Sequence, residues 1–517
     1  MCLYNKTPCR LNRQGVLFMG NTIPTILCKI SYIAVNNLEP EKIMEDKNTT
    51  TETSKAHLKQ VLGLPTGILL VAGIMIGSGV FKKIVPMSQT LNSESYILMA
   101  WIIAGIITMF GAFTYAGLAT MTTQTGGVYE YLRLIYGNFI AFLFGWTIFT
   151  IVGSGAIAAL SFVFAQSVNT LIPLPDPLYA FKDISIGHAI FPFADSGIKT
   201  LAVLTIALLT WVNYRGVNKA GILNNIVTSA KILGILLLIV SGLLYTGHPV
   251  VTTTVKTAVI HPQGAALFSG LFGAMLSALW AYDGWANITF VTGEIKNPKR
   301  NIPLAIIGGV GIAMTLYVLL NYAYMKVLSV SQLALLGSNK IAAAEVAGIL
   351  MGKTGSVIIA VLIMVCTFGA LNGCIISYPR VYFRMAQENV FFKKAANVHP
   401  AFSTPHIALL YSAIWSVILV CSGTFDQITN LVIFASYAFF ALATWGLVKM
   451  KRKRVIISKV IGYPVIPFII ILFCIALVIN TIITQTEASI IGLLLILSGV
   501  PLYLYFKNKY GGAKPSV

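Results

Sequence analysis

Two ionisable side chains lie deep in apolar stretches of this chain, Asp283 in LWAYDGWANI and Lys231 in IVTSAKILGILLLIV. A charge in hydrocarbon is costly, so it marks a functional position by default. Asp283 has two readings of equal standing. Its carboxylate either caps the N–H groups of a broken helix or contributes to binding a solute. A proton relay is the weaker third, because no second acid lies in a clear apolar span. Lys231 either snorkels to a nearby polar face or serves as a fixed ammonium donating to unwound carbonyls. Such carbonyls are expected at two places. The run GIMIGSGVF (Gly73 to Phe81) is interrupted by Gly77-Ser78-Gly79, and Trp280-Ala281-Tyr282-Asp283-Gly284-Trp285 interrupts a second apolar run. Unwound backbone at membrane depth is tolerated only where it lines a cavity or is buried in protein. Paired broken helices in two halves of a chain point to the binding site of a secondary transporter.

At the first break the N–H groups of Ser78, Gly79 and Val80 open a new half-helix, whose positive end suits a carboxylate. Ser78 adds a hydroxyl, and Gly77 and Gly79 permit close approach. A small-residue helix contact of the Gly73-x-x-x-Gly77 kind is the equal alternative. At the second break the carbonyls of Trp280, Ala281 and Tyr282 can accept from an ammonium group, and Trp280 can close over a bound solute.

The elements that must position these groups are membrane helices. Of 517 residues 57% are hydrophobic and 10% charged, against about 25% charged in soluble chains. Apolar stretches of roughly 20 residues give twelve spans near 64–88, 97–121, 138–171, 197–214, 219–246, 266–292, 303–327, 355–386, 406–422, 427–448, 463–484 and 487–506. The net charge of +20 reflects short basic runs between spans, with no continuous basic face for nucleic acid. Beyond residue 60 every arginine falls in the even-numbered loops, from Arg133 to Arg454, while the other loops hold only scattered lysines such as Lys82, Lys83, Lys182, Lys256 and Lys340. That asymmetry places both termini in the cytoplasm, in a multi-pass protein of the cell membrane.

The expected organisation is an N-terminal segment 1–62, a core of ten spans over 63–448, and spans 11 and 12 with a tail over 449–517. Residues 45–60 are polar and read as a disordered or interfacial lead-in. The stretch from Gly15 to Val35 is a poor span and a poor signal peptide. Met44 is a candidate start, with 1–43 upstream of translation. No repeat is legible in the sequence itself, yet breaks in the first and sixth spans fit two five-helix halves related by an inverted pseudo-two-fold.

The seven cysteines show no metal spacing; Cys366, Cys374, Cys421 and Cys474 in apolar helices read as small buried hydrophobes. His188, His261, His399 and His406 lie in loops or at span ends, without a paired nucleophile. These features argue against an enzyme and against a metal or other cofactor. No repeated charged or carbonyl ring suggests a channel.

GIMIGSGVF, AYDGWANITFVTGEIKNPKRNIP (281–303), FGALNGCIISYPRVYF (368–383), HPAFSTP (399–405) and GYPVIP (462–467) together resemble the amino acid–polyamine–organocation superfamily. The chain most resembles its L-type amino acid transporter branch, in the bacterial form, from about residue 60 to 500. The resemblance implies an all-α, twelve-helix protein with a five-plus-five inverted core and broken helices 1 and 6, working by alternating access. It places the substrate carboxylate on Gly77, Ser78 and Gly79. It places the substrate amino group on carbonyls around Met75, Ile76, Trp280, Ala281 and Asp283, with Trp280 as the gate. It also puts Lys231 where a sodium-coupled relative holds its ion. Animal members bond to a glycoprotein through a cysteine in the second external loop; that loop here, about 173–196, has none, so no covalent accessory subunit is expected.

The favoured function is sodium-independent exchange of neutral L-amino acids, because a zwitterion engages both breaks at once. A proton-coupled or facilitated permease of the same fold is the alternative, and an amino-acid-sensing receptor or a channel the alternative from another class. Thr150, Ser154, Cys374 and Ser436 are candidates for the side-chain pocket.

Overall fold

The computed structural model describes residues 60–122, 124, 126–184, 192–247, 264–336, 341–422, 425–456 and 459–510. The expected lead-in over 45–60 (up to residue 59), the start at Met44, and His188, His261, Lys256 and Lys340 lie outside them. Among the described residues the fold is helical, with one isolated β-bridge between Leu62 and Ile295. Among the described residues eleven helices are long and apolar enough to cross a membrane, and His406–Ser422 is a shorter apolar helix in the position of the ninth span. A helix satisfies its backbone groups internally, which is why apolar runs of this length fold this way in lipid.

The expected spans are recovered with instructive differences. Span 1 is Leu64–Met75, a break, Gly79–Lys82, then Ile84–Leu91. Span 3 runs as Asn138–Thr147 and Gly153–Leu171 joined by a π-turn, Ile148–Val152, a feature with no clear sequence signature. Span 6 is Gly264–Tyr282, after which Trp285–Glu294 continues as a tighter 3-10 helix. Span 8 starts earlier than its apolar core suggests, at Ala342, with Gly352 non-helical, and ends at Ser377 before Pro379–Gln387. Span 12 divides into Thr486–Leu497 and Gly499–Tyr510. The short helix Val128–Tyr136 lies in what the sequence suggests is a plain loop.

Spans 1, 5, 7 and 8 pack on one another, and span 8 also packs along span 3. The breaks of spans 1 and 6 meet inside this arrangement. Gly79 shows the contact: a Cβ there would lie 2.6 Å from the Cα of Ala281. Gly284 needs to be glycine on two counts, a φ of +97°, which L side chains rarely adopt, and a Cβ position that collides with Ile74.

Candidate functional site

The first break is built by a three-residue turn. Ile76, at φ −74° and ψ 80°, centres an inverse γ-turn closed by the Gly77 N–H on the Met75 carbonyl at 2.8 Å. Gly77 therefore spends its amide inside the turn. Among the described residues, the amides of Ser78, Gly79 and Val80 have no backbone acceptor outside their own helix, as the start of a helix requires. Ser78 is buried and its hydroxyl has no partner. Buried hydroxyls are normally hydrogen-bonded, and one left unpaired needs an explanation. The two readings of the glycine motif divide by residue: Gly73 packs against Thr228 and Asn224 of span 5, while Gly77 to Gly79 form the break.

Lys231 does not snorkel. It is fully buried, and its Nζ donates to the carbonyls of Gly73 (2.6 Å) and Ile76 (2.8 Å). These are two of the carbonyls that the break strips of helical partners. A single ammonium from span 5 thus replaces the lost N–H donors with stronger, charge-assisted bonds.

Tyr317 of span 7 joins the two breaks. Its hydroxyl lies 2.6 Å from the Met75 carbonyl and 2.9 Å from the Ala281 carbonyl. The phenol has one proton, so it donates to one of them at a time and the other keeps acceptor capacity. Nothing in the sequence singled out Tyr317; it lies mid-span among apolar neighbours. Its replacement by Phe is expected to weaken apparent substrate affinity about tenfold, the worth of one hydrogen bond, with the fold intact. Concentration dependence of uptake checks this.

Between the breaks lies a narrow cavity with about 20 Å3 of free space, roughly the room of one water molecule. Met75, Gly77, Ser78 and Gly79 line it from span 1, and Trp280, Asp283 and Gly284 from span 6. Ile74 of span 1, Ala156 and Leu160 of span 3, Cys374 of span 8 and Tyr378 complete the wall. Ile76, Ala281 and Lys231 stand behind it, the last two through the contacts just given. The Asp283 carboxylate sits beside the Gly284 N–H at the cavity's edge, the position a cap would take. Of the four candidates for the side-chain pocket only Cys374 lines the cavity. Thr150 instead donates to the Trp146 carbonyl, and Ser154 and Ser436 are buried elsewhere.

The bundle is closed on one side of the cavity, at the end that carries the arginines. Arg380 and Glu294 form a buried ion pair at 2.8 Å, each side chain 1% exposed. The Glu294 carbonyl also accepts the N–H groups of Val61 (3.0 Å) and Leu62 (2.9 Å), and the Lys296 N–H donates to Leu62 O at 2.8 Å. One glutamate therefore ties the entry to span 1, the exit of span 6 and the segment after span 8. Beside it Glu130 takes Arg133 (2.6 Å) and Arg384 (3.1 Å), and Glu388 takes Arg384 (2.6 Å). Burial alone would raise the pKa of Glu130, but hydrogen bonds from Arg133 and Arg384 outweigh it and hold the carboxyl below its ordinary range. On the other side, a polar recess lined by Lys82, Gln89, Ser269, Ser277, Asn430 and Gln485 opens between spans 1, 6, 10 and 11.

The chain is similar in sequence to known proteins over most of their length. The sequence matches the family described as "Amino acid permease" over residues 62–504. It is 31% identical to the serine/threonine exchanger SteT of Bacillus subtilis (strain 168), over 88% of this chain and 99% of that protein. It is 30% identical to b(0,+)-type amino acid transporter 1 of Mus musculus, over 91% and 93%. It is 28% identical to large neutral amino acids transporter small subunit 2 of the same species, over 87% and 82%. The chain is thus a multi-pass membrane protein of the amino acid permease family, in the amino acid–polyamine–organocation superfamily, and its activity is amino acid transport.

Proposed function

We propose that this protein exchanges neutral L-amino acids across a membrane by alternating access and without sodium. The observation that carries the reading is Lys231, whose ammonium is bound to the Gly73 and Ile76 carbonyls at 2.6 and 2.8 Å. A fixed cation there supplies the charge that a co-transported cation would otherwise bring, so the break keeps its shape in every state of the cycle. The substrate carboxylate goes to the amides of Ser78 and Gly79 and the Ser78 hydroxyl, with Gly77 shaping the turn. The substrate ammonium goes to carbonyls at the breaks, from the set Met75, Ile76, Trp280 and Ala281, near Asp283. A zwitterion satisfies both ends at once, and Trp280 closes over it from the recess side. The exchange reading gains support from a relative that is itself named a serine/threonine exchanger.

In this reading the arginine-bearing end faces the cytoplasm of a cell membrane, so the recess faces outward and the Arg380–Glu294 pair holds the inner side shut. Residues 63–448 form the transport core as two inverted halves of five spans, and 449–517 are an addition outside it. The loop of residues 173–196 has no cysteine, in keeping with a carrier that works without a covalently bound subunit.

Uptake of labelled serine, threonine, alanine and leucine into proteoliposomes tests the proposal. Each is measured with and without internal unlabelled amino acid, in sodium, in choline, and under an inward proton gradient. Uptake that requires internal amino acid and ignores sodium is expected. Uptake into empty vesicles driven by external acid would replace exchange with proton coupling. A second expectation concerns Asp283. Because an amide oxygen can take the same capping position beside the Gly284 N–H, Asp283→Asn should change alanine uptake by less than about threefold and leave lysine excluded. A changed lysine-to-alanine ratio would put the carboxylate in the side-chain pocket.

A further inference from the structure

We infer that the turn between spans 10 and 11 is a binding surface for anionic phospholipid headgroups. Lys449, Lys451, Arg452, Lys453, Arg454 and Lys459 fall within eleven positions, and no Asp or Glu occurs between residues 427 and 486. Arg452, Lys453, Arg454 and Lys459 are exposed. Among the described residues none of these four has a carboxylate partner. Three arginines at the same end, Arg133, Arg380 and Arg384, are instead spent on Glu130, Glu294 and Glu388.

Residues 450–456 fold back on the end of span 10. The Lys451 Nζ donates to the Ile456 carbonyl at 3.1 Å, and the Arg454 and Val455 amides return to Lys451 and Met450. Arg454 holds a φ of +57°, a backbone conformation uncommon for a residue other than glycine. Exposed apolar side chains stand among the cations: Val455 is 56% exposed, Ile461 55% and Val465 62%. A free phosphate has no use for these. A lipid has use for both, since its headgroup meets the cations while its first methylenes cover the apolar side chains.

The surface adjoins the closed end of the cavity. The Lys449 Nζ lies 5.2 Å from the centre of the Tyr136 ring, and the Tyr136 hydroxyl donates to the Leu442 carbonyl at 2.9 Å. Tyr136 ends the same short helix that carries Glu130. A headgroup held at this turn therefore rests against the helix that helps shut the inner side.

Full-length protein reconstituted in phosphatidylglycerol or in phosphatidylcholine vesicles tests the inference by acetylation footprinting of the unmodified chain. Lys453 and Lys459 are expected to react at least about fivefold more slowly in the anionic vesicles, relative to Lys299, an exposed lysine of the same end. Equal slowing of all three lysines would reduce the effect to general surface potential and overturn the inference. Loss of the protection on adding millimolar inorganic phosphate would overturn the lipid assignment in favour of a small anion. As a second measure, the Arg452→Gln/Lys453→Gln/Arg454→Gln protein should retain at least about fivefold less phosphatidylglycerol than the parent on purification from mixed lipid; equal retention would contradict the assignment.

Discussion

Replacement of Lys231 by methionine is expected to lower exchange at least about 100-fold while leaving a folded, monodisperse protein. The substitution keeps an unbranched, apolar stem but removes the ammonium and its two charge-assisted hydrogen bonds, at 2.6 and 2.8 Å, to carbonyls that have no other described donor. Each such bond contributes about 1.5–3 kcal/mol, and an unsatisfied buried carbonyl costs a comparable amount. The loss falls on the turn that presents Ser78 and Gly79, so it appears as lost transport before lost folding. Lys231→Arg is expected to fail as well. Gly369 packs against the lysine stem, with a Cβ position only 2.8 Å from Cε, and the larger guanidinium has no room there. Exchange assays alongside thermal melting in detergent check both variants. Retention of exchange by the methionine protein would show that the carbonyls of the break need no fixed cation.

The second large effect is at the closed end. Glu294→Gln should cost about 3–5 kcal/mol in the state closed at that end, because it leaves the Arg380 guanidinium buried without a counter-charge. Arg380 has little reserve, since its Nη1 already lacks a partner. The expected outcome is a lower melting temperature and at least about tenfold slower exchange. The double variant Glu294→Leu/Arg380→Met separates charge from packing. Apolar replacement of a whole buried pair is often close to neutral, so the double variant should melt higher than Glu294→Gln. A double variant no more stable than the single one would assign the loss to packing or to the backbone bonds at Val61 and Leu62.

Why these two predictions differ in origin is a matter of what a sequence can carry. Lys231 stands out because a charge among Ile, Leu and Gly has few explanations, and only the choice between snorkelling and backbone donation needed coordinates. The breaks were legible for a related reason: Gly-Ser-Gly and Tyr-Asp-Gly interrupt apolar runs that otherwise have no cause to stop. Glu294 and Arg380 were visible within the motifs, yet they are 86 residues apart and their pairing depends on how spans 6 and 8 end. Tyr317, Ala156 and Leu160 carried no signal at all. A tyrosine or alanine on a membrane helix is ordinary, and which face meets the cavity is set by tertiary packing. The π-turn in span 3 and the helix Val128–Tyr136 were hidden likewise, one because it adds a residue to a turn without a marker, the other because its amphipathic pattern spans only nine residues. Gly77 illustrates the limit from the other side. Its place at the break was clear, but only the 2.8 Å bond to Met75 shows that its amide is already used.

The central claim is that one cavity holds both ends of a zwitterion, the carboxylate at Ser78 and Gly79 and the ammonium at the facing carbonyls. Competition against labelled serine exchange in proteoliposomes tests it most directly, with unlabelled serine, lactate (no amino group) and ethanolamine (no carboxylate) as competitors. Serine is expected to compete while each one-ended analogue is at least about 100-fold weaker, since losing either end forfeits charge-assisted hydrogen bonds of about 1.5–3 kcal/mol each. Lactate or ethanolamine competing as well as serine would contradict it, and would show that a single break does the binding.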